Sequence, residues 1–279
     1  MLLNFNHLSE PGSIAVMGIL NLSPNSFYSK SYFSRIDDVL KYAEKMIEEG
    51  AHILDIGAES TRPGSKKISV DLELERLIPV VSKLAKKYKI PISVDTYKPE
   101  VASAVLQEGA NIINDISGLR SGSVMAKIVS KHNAGIVLMH MNGIPETMQE
   151  NPRYDNVCCE ILEFLRQKIE LAEEAGINSN SIAIDPGIGF GKTLNHNLIL
   201  ISNLAKFKEL DKAILLGVSR KSFIGEILCL DPEERLEGSI AAGVIGFMEG
   251  ANILRVHDVN ATIRAIKLAN AIKKVKLID

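Results

Sequence analysis

The residues best suited to chemistry in this chain stand at the ends of short apolar runs. They occur in Gly18-Ile19-Leu20-Asn21, Asp55-Ile56-Gly57, Val94-Asp95-Thr96, Ile113-Asn114-Asp115, Leu138-Met139-His140, Ile184-Asp185-Pro186-Gly187, Gly217-Val218-Ser219-Arg220-Lys221 and Arg255-Val256-His257-Asp258. A strand wall has no structural use for such side chains, because an unpaired buried polar group costs roughly 1–3 kcal/mol. Their recurrence points instead to one polar pocket built from many strand ends. The segment Glu59-Ser60-Thr61-Arg62-Pro63-Gly64-Ser65 adds hydroxyls, a guanidinium and a glycine-permitted turn, the combination that phosphate oxygens require. Asp55 and Glu59 either contact the ligand or hold this loop together by hydrogen bonds. His140 is open between a pocket wall and a hydrogen-bonded core site. Gly189, Gly191 and Lys192 lack the Walker spacing and are read as a tight turn that brings Phe190 to the pocket.

The elements that must position these residues alternate along the chain. Ile- and Val-rich strands are expected near 14–20, 52–57, 91–95, 111–116, 135–140, 181–185, 213–218 and 252–257, with helical periodicity at 36–49, 71–88, 98–108, 122–133, 157–175, 195–209 and 259–275. The stretch 220–249 is broken by Asp231-Pro232 and Gly238 and should hold two helices. In the second helix, Leu72, Leu74, Leu77, Val80, Val81 and Leu84 form the buried stripe, and Asp71, Glu73, Glu75, Lys83, Lys86 and Lys87 the solvated face. Eight strands each followed by a helix give an α/β fold, the (β/α)8 TIM barrel, whose strand ends all converge on one face. Residues 1–279 are read as one domain, with 1–12 an extension forming a small hairpin or a plug under the barrel.

Composition narrows the function classes. A net charge of -2 and the absence of a long lysine cluster exclude a sequence-independent nucleic-acid surface, so any polyanion bound should be small. Three cysteines, of which Cys158 and Cys159 are adjacent, fit neither a disulfide framework nor a zinc spacing and are read as packing residues. No secretory leader and no membrane span are expected, and a cytoplasmic location follows by default. His7, His52, His132 and His196 are assigned to surface or packing, and Ile263, Ile266, Ala269 and Ile272 to barrel packing.

From about Val16 to Val259 the chain resembles the dihydropteroate synthase family, pterin-binding barrels that join a dihydropterin to p-aminobenzoate in folate synthesis. The resemblance is carried by Met17-Gly18-Ile19-Leu20-Asn21, Glu59-Ser60-Thr61-Arg62-Pro63-Gly64, Ser93-Val94-Asp95-Thr96, Asn114-Asp115, Met139-His140-Met141, Asp185 through Lys192, Ser219-Arg220-Lys221-Ser222 and Arg255-Val256-His257-Asp258. These segments follow in order, each at the carboxyl end of an expected strand.

The resemblance implies that Asp95, Asn114 and Asp185 hydrogen-bond the pterin, whose guanine-like edge suits carboxylates and amides. Lys221 would donate to its carbonyl side, and Arg255 would lie over the ring and face the diphosphate. Asn21 is implied as the protein ligand of Mg2+, an ion that tolerates incomplete protein coordination. Thr61, Arg62 and His257 would complete the anion site. Met139, Gly217 and Phe190 would line the pterin slot, with Thr61, Phe190 and Ser222 where p-aminobenzoate enters. The implied reaction is substitution at a methylene with pyrophosphate leaving, by a dissociative path in which Asp95, Asp185, Lys221 and Arg255 are the catalytic set. An aromatic amine is neutral near pH 7 and needs no strong base, in keeping with a pattern that shows no Ser-His or Cys-His pair. A homodimer is implied as well.

The long stretch from Asn21 to Ser34 is read as a lid that keeps water from the intermediate. Here the chain departs from the family, with Asn25 in place of an Asp and Phe27-Tyr28-Ser29-Lys30-Ser31 in place of an Asp-Gly-Gly turn. Weaker amine affinity with pterin binding retained is the expected result. The alternatives are a non-catalytic pterin-binding module, a pterin-dependent methyltransferase with a related barrel, and an aldolase using Lys221 as a Schiff base.

Overall fold

The computed structural model describes residues 3–8, 13–22, 36–60 and 64–275. Eight parallel strands close into a barrel in sequence order: β1 (Ala15–Asn21), β2 (Ile53–Gly57), β3 (Ile92–Asp95), β4 (Ile112–Asp115), β5 (Gly135–Met139), β6 (Ile182–Asp185), β7 (Ala213–Leu216) and β8 (Ile253–Val256). Around them lie α1 (Ile36–Glu48), α2 (Val70–Lys87), α3 (Pro99–Gln107), α4 (Ser123–Lys131), α5 (Val157–Glu174), α6 (Leu194–Ser202), α7 (Ser222–Leu228), α8 (Leu236–Met248) and α9 (Val259–Val275). The expected (β/α)8 barrel is the fold found.

Register decides which side chains share the inside of the wall. Asp55 pairs with Ser93, Asp95 with Asn114, Met139 with Asp185, and Met17 with Arg255. The intervening residues, among them Val16, Leu54, Val94 and Ile113, point outward and pack under the helices, so each strand is apolar on both faces through its lower half. Inside, Met17, Ile53, Ile112, Val137, Leu215 and Ile253 form a closed apolar floor with Phe5 sealed beneath it. Two residues further along each strand, on the same face, stand Asp55, Asn114, Met139, Gly217 and Arg255. The polar layer is therefore the next tier of the same barrel interior.

Several expectations change in detail. Residues 195–209 divide into α6 and a 3-10 segment, Leu204–Leu210, ending at Asp211 in the left-handed conformation. The expected hairpin at the N-terminus is a 3-10 turn, Phe5–His7, and it fills the plug position through Phe5. Glu73 leaves the solvated face of α2: it is buried and paired with Lys98 on the neighbouring turn. Only Cys158 packs inside, whereas Cys159 and Cys229 are exposed thiols. Ile272 is exposed on α9, while Ile266 and Ala269 are buried as expected. His52 serves the lower wall, where its Nδ1 accepts from Val16 N over 3.1 Å.

Candidate active site

The β8 and β3 strand ends meet across the barrel mouth through Arg255. Its Nε donates to Asp55 Oδ2 over 2.6 Å, and its Nη2 donates to Asp95 Oδ2 over 3.0 Å. Asn114 Nδ2 reaches the same Asp55 oxygen at 3.4 Å. Asp55 is fully buried and lies well below the second loop, so its role is to hold Arg255 and the loop-fastening alternative is set aside. Sequence reasoning did not foresee this pairing; its signal was the position of Asp55, two residues after the inward Ile53.

Asp185 ends β6 and is held by the turn that follows, its Oδ1 accepting from Gly187 N over 2.7 Å. Gly187 is needed there: its φ is +72°, and a Cβ would stand 1.9 Å from His140 O. Gly217 opens the opposite wall. A Cβ there would stand 3.7 Å from Lys221 Nζ and 4.0 Å from Asp185 Oδ2, so these two charged groups and a small gap meet at one point. Gly57 leaves a similar gap beside Asp95. Met139 and Phe190 belong to an apolar cluster with Ile116 and Met141, beside this slot. Lys221 Nζ lies 4.7 Å from the Phe190 ring centre and donates to Ile188 O.

Charge states follow from this burial. Burial, opposed by Arg255, raises Asp95 to about 7. Burial also raises Asp185, against the pull of Lys221. Lys221 falls to about 8, because burial outweighs the attraction of Asp185. Arg255 is raised despite its own desolvation, since Asp55 and Asp95 face it. The mouth thus holds acceptors and donors whose charges can be tuned by a ligand.

The remaining residues divide between site and scaffold. Asp115 points outward and accepts from Ser117 N, Ser117 Oγ and Leu119 N, fixing the turn after β4. His140 takes the core alternative. Its Nδ1 meets Lys192 Nζ at 3.0 Å, its ring lies edge-on to Phe164, and burial with Lys192 beside it lowers it to about 3. Lys192 also donates to Phe190 O over 3.0 Å, so the glycine turn does present Phe190 and is not a phosphate loop. Glu59 fastens the second loop: it accepts from Tyr97 Oη at 2.7 Å, Lys98 Nζ at 2.7 Å and Ile68 N at 2.9 Å. Thr61 and Arg62 of that loop lie outside the described residues, as does the lid with Asn25. Ser222 is the exposed first residue of α7.

A Ser-His contact does occur, with Ser219 Oγ 3.0 Å from His257 Nδ1. It is not a nucleophile-base pair poised for attack, because the same hydroxyl accepts from the His257 backbone N–H over 3.2 Å and both residues are buried. Next to it Arg220 grips Asp258 with Nε and Nη2 at 2.8 and 3.0 Å. His257 lines a cavity of about 340 Å3 with Tyr42, Lys45, Glu49, Asp258 and the first residues of α9.

For a metal, the donor set is sparse. No cluster of three or more His, Cys, Asp and Glu side chains that could hold an ion occurs among the described residues. Asn21 ends β1 with its Oδ1 3.9 Å from where a Gly57 Cβ would stand, offering one amide oxygen at the mouth. A single hard oxygen fits Mg2+ that keeps its waters and is held chiefly by phosphates. No helix among the described residues is long and apolar enough to cross a membrane.

Comparison with known proteins agrees with this geometry. The family described as pterin binding enzyme matches residues 17–257. The dihydropteroate synthase of Escherichia coli K12 is 45% identical over 261 residues, 94% of this chain and 92% of that protein. The Yersinia pestis dihydropteroate synthase, solved with a sulfonamide drug complex, superposes with a TM-score of 0.91 at 39% identity and covers 96% of both chains. The Xanthomonas albilineans enzyme, solved with 4-aminobenzoic acid, has a TM-score of 0.86 at 41% identity over 94% of this chain and 93% of its own. A barrel whose polar tier sits directly on its apolar floor, matched over nearly its whole length, belongs to the dihydropteroate synthase family of pterin-binding enzymes.

Proposed function

We propose that this protein condenses 6-hydroxymethyl-7,8-dihydropterin pyrophosphate with p-aminobenzoate, releasing pyrophosphate and 7,8-dihydropteroate. The observation that carries the reading is the upper tier of the barrel interior. Acceptors Asp95 and Asp185 and donors Asn114 and Lys221 surround a slot kept open by Gly57 and Gly217, which suits the edge of a flat pterin. Asp95 and Asp185 accept from the ring amino and N–H groups, and Lys221 donates to the carbonyl side. Arg255 spans the pterin and the diphosphate, and His257 with Thr61 and Arg62 completes the anion site. Phe190 and Ser222 stand on the side where p-aminobenzoate enters.

Departure of the diphosphate leaves positive charge on the methylene, delocalised into the dihydropterin. Asp95 and Asp185 stabilise that charge, and Arg255 and His257 stabilise the departing anion. Asn21 would be the protein ligand of Mg2+, which would supply positive charge against the diphosphate. The amine then attacks without a protein base, its surplus proton passing to the released pyrophosphate, and the lid would exclude water. Hydrogen bonding favours this path over an aldolase, because Lys221 donates to Ile188 O and faces the Asp185 carboxylate, the setting of a donor to a ligand.

We also propose a homodimer, supported by exposed Ile245, Met248, Leu268 and Ile272 on neighbouring helices α8 and α9. Three free cysteines suit the cytoplasm, where thiols stay reduced.

The test is to mix the purified protein with dihydropterin pyrophosphate, Mg2+ and p-aminobenzoate and to follow both products. Their formation, abolished in folded Lys221→Ala and Asp185→Asn variants, is expected. Tight pterin binding without product would establish a non-catalytic binding module instead.

A further inference from the structure

Ser219 follows β7, His257 follows β8, and one hydroxyl joins them through two contacts. Ser219 Oγ accepts from the His257 backbone N–H over 3.2 Å and lies 3.0 Å from Nδ1 of the same residue. A serine hydroxyl carries one proton and two acceptor sites, and a backbone N–H can only donate. That N–H therefore occupies one acceptor site. Among the hydrogen bonds of the described residues, the hydroxyl proton then has one acceptor, His257 Nδ1. Had Nδ1 carried the ring proton, two donors would face Oγ and the buried hydroxyl proton would be left over, an arrangement that buried polar groups avoid.

We propose that Ser219 is a positioning residue that fixes the ring proton of His257 on Nε2, so that the imidazole offers a donor to the leaving diphosphate. The identity of that anion rests on the synthase reading; the tautomer does not. The neighbouring residues hold the arrangement in register. Arg220 grips Asp258 with two bonds and donates from Nη1 to the carbonyls of Pro232 and Glu233, each over 2.8 Å. The turns after β7 and β8 are thereby locked together, and the hydroxyl cannot slide along the imidazole. His257 lines the cavity at the start of α9 beside Lys45, Glu49 and Asp258, and both of those carboxylates already face a cation, Lys45 at 3.7 Å from Glu49 and Arg220 at 2.8 Å from Asp258. A ring nitrogen with a lone pair at that place would repel phosphate oxygens, whereas an N–H accepts them.

The experiment is two-bond proton–nitrogen NMR on protein with isotope-labelled histidine, the His257 signals being identified by their loss in His257→Asn, together with pyrophosphate titration. The native spectrum is expected to show Nε2 protonated and Nδ1 as acceptor. Ser219→Ala should lose that preference and bind pyrophosphate roughly tenfold more weakly, as loss of an orienting partner does. Ser219→Thr should restore both. A Ser219 that served only packing would lower thermal stability on truncation and leave the proton on Nε2. A native ring protonated on Nδ1, or an unchanged Ser219→Ala spectrum, overturns the inference. Failure of the native protein to bind pyrophosphate, with the expected spectrum, would sink the synthase reading and leave the tautomer assignment standing.

Discussion

Arg255 Nε donates to Asp55 Oδ2 over 2.6 Å, a bond that passes from β8 to β2 across the inward face of β1. Asp55 has no exposure, and this guanidinium is its ion-pair partner. Breaking a buried pair from one side leaves an uncompensated charge, which costs about 3–5 kcal/mol. Arg255→Ala should lose stability on that scale in urea unfolding. Asp55→Asn in the same chain should recover much of it, while leaving activity absent. Additive losses in the double variant would show that the pair is not coupled.

Two charged groups at the mouth, both shifted by burial, set a narrow working range. Asp95 must be ionised to accept from a ring N–H, so pterin affinity should rise as pH climbs through about 7. Lys221 must be protonated to donate, so affinity should fall again as pH passes about 8. A bell-shaped profile of kcat/KM, which reports the free enzyme, is expected between these limits. Asp95→Asn should flatten the acid limb and Lys221→Arg the alkaline limb. A profile flat through this range would remove both assignments.

Two glycines should respond oppositely to alanine. At Gly217 the added Cβ meets Lys221 and Asp185 at ordinary contact distances, so the fold should tolerate it while the slot narrows. Pterin affinity should fall about tenfold with little change in melting temperature. At Gly187 the backbone is left-handed and the Cβ would overlap His140 O, so Gly187→Ala should cost about 2–4 kcal/mol in denaturation. Equal melting temperatures for the two variants would contradict this division.

Lys98 fastens both ends of the second loop. Its ammonium donates to Glu59 at 2.7 Å, to Glu73 at 2.5 Å and to Ile68 O at 2.8 Å, with side-chain exposures of 6% and 2% for the two glutamates. Lys98→Met would leave two buried carboxylates facing each other. A loss of about 3–5 kcal/mol is expected. Urea unfolding checks it; an unchanged unfolding midpoint would show that the two carboxylates do not depend on Lys98.

Much of this protein is legible in the sequence. Strand apolarity on both faces, helical period between, and a polar residue closing each strand determine the barrel and its mouth, because alternation forces residues two apart onto one face. Asn114 and Asp115 are adjacent and chemically alike, yet only Asn114 faces inward, and that too follows from the two-residue period once Ile112 is assigned to the floor. Glu59 was legible as a candidate loop fastener because its loop needs one.

Tertiary structure alone decided which charges pair. Asp55 with Arg255, Glu73 with Lys98 and Ser219 with His257 lie far apart along the chain, and each contact depends on how neighbouring βα units pack around the barrel. The same closure buried Lys221 and Asp95 beside opposite charges and moved their proton affinities toward neutrality. Local sequence sets which side of a strand a residue occupies, through bond geometry and hydrophobic period. Which residue faces it across the barrel is set by ring closure, a property of all eight strands together.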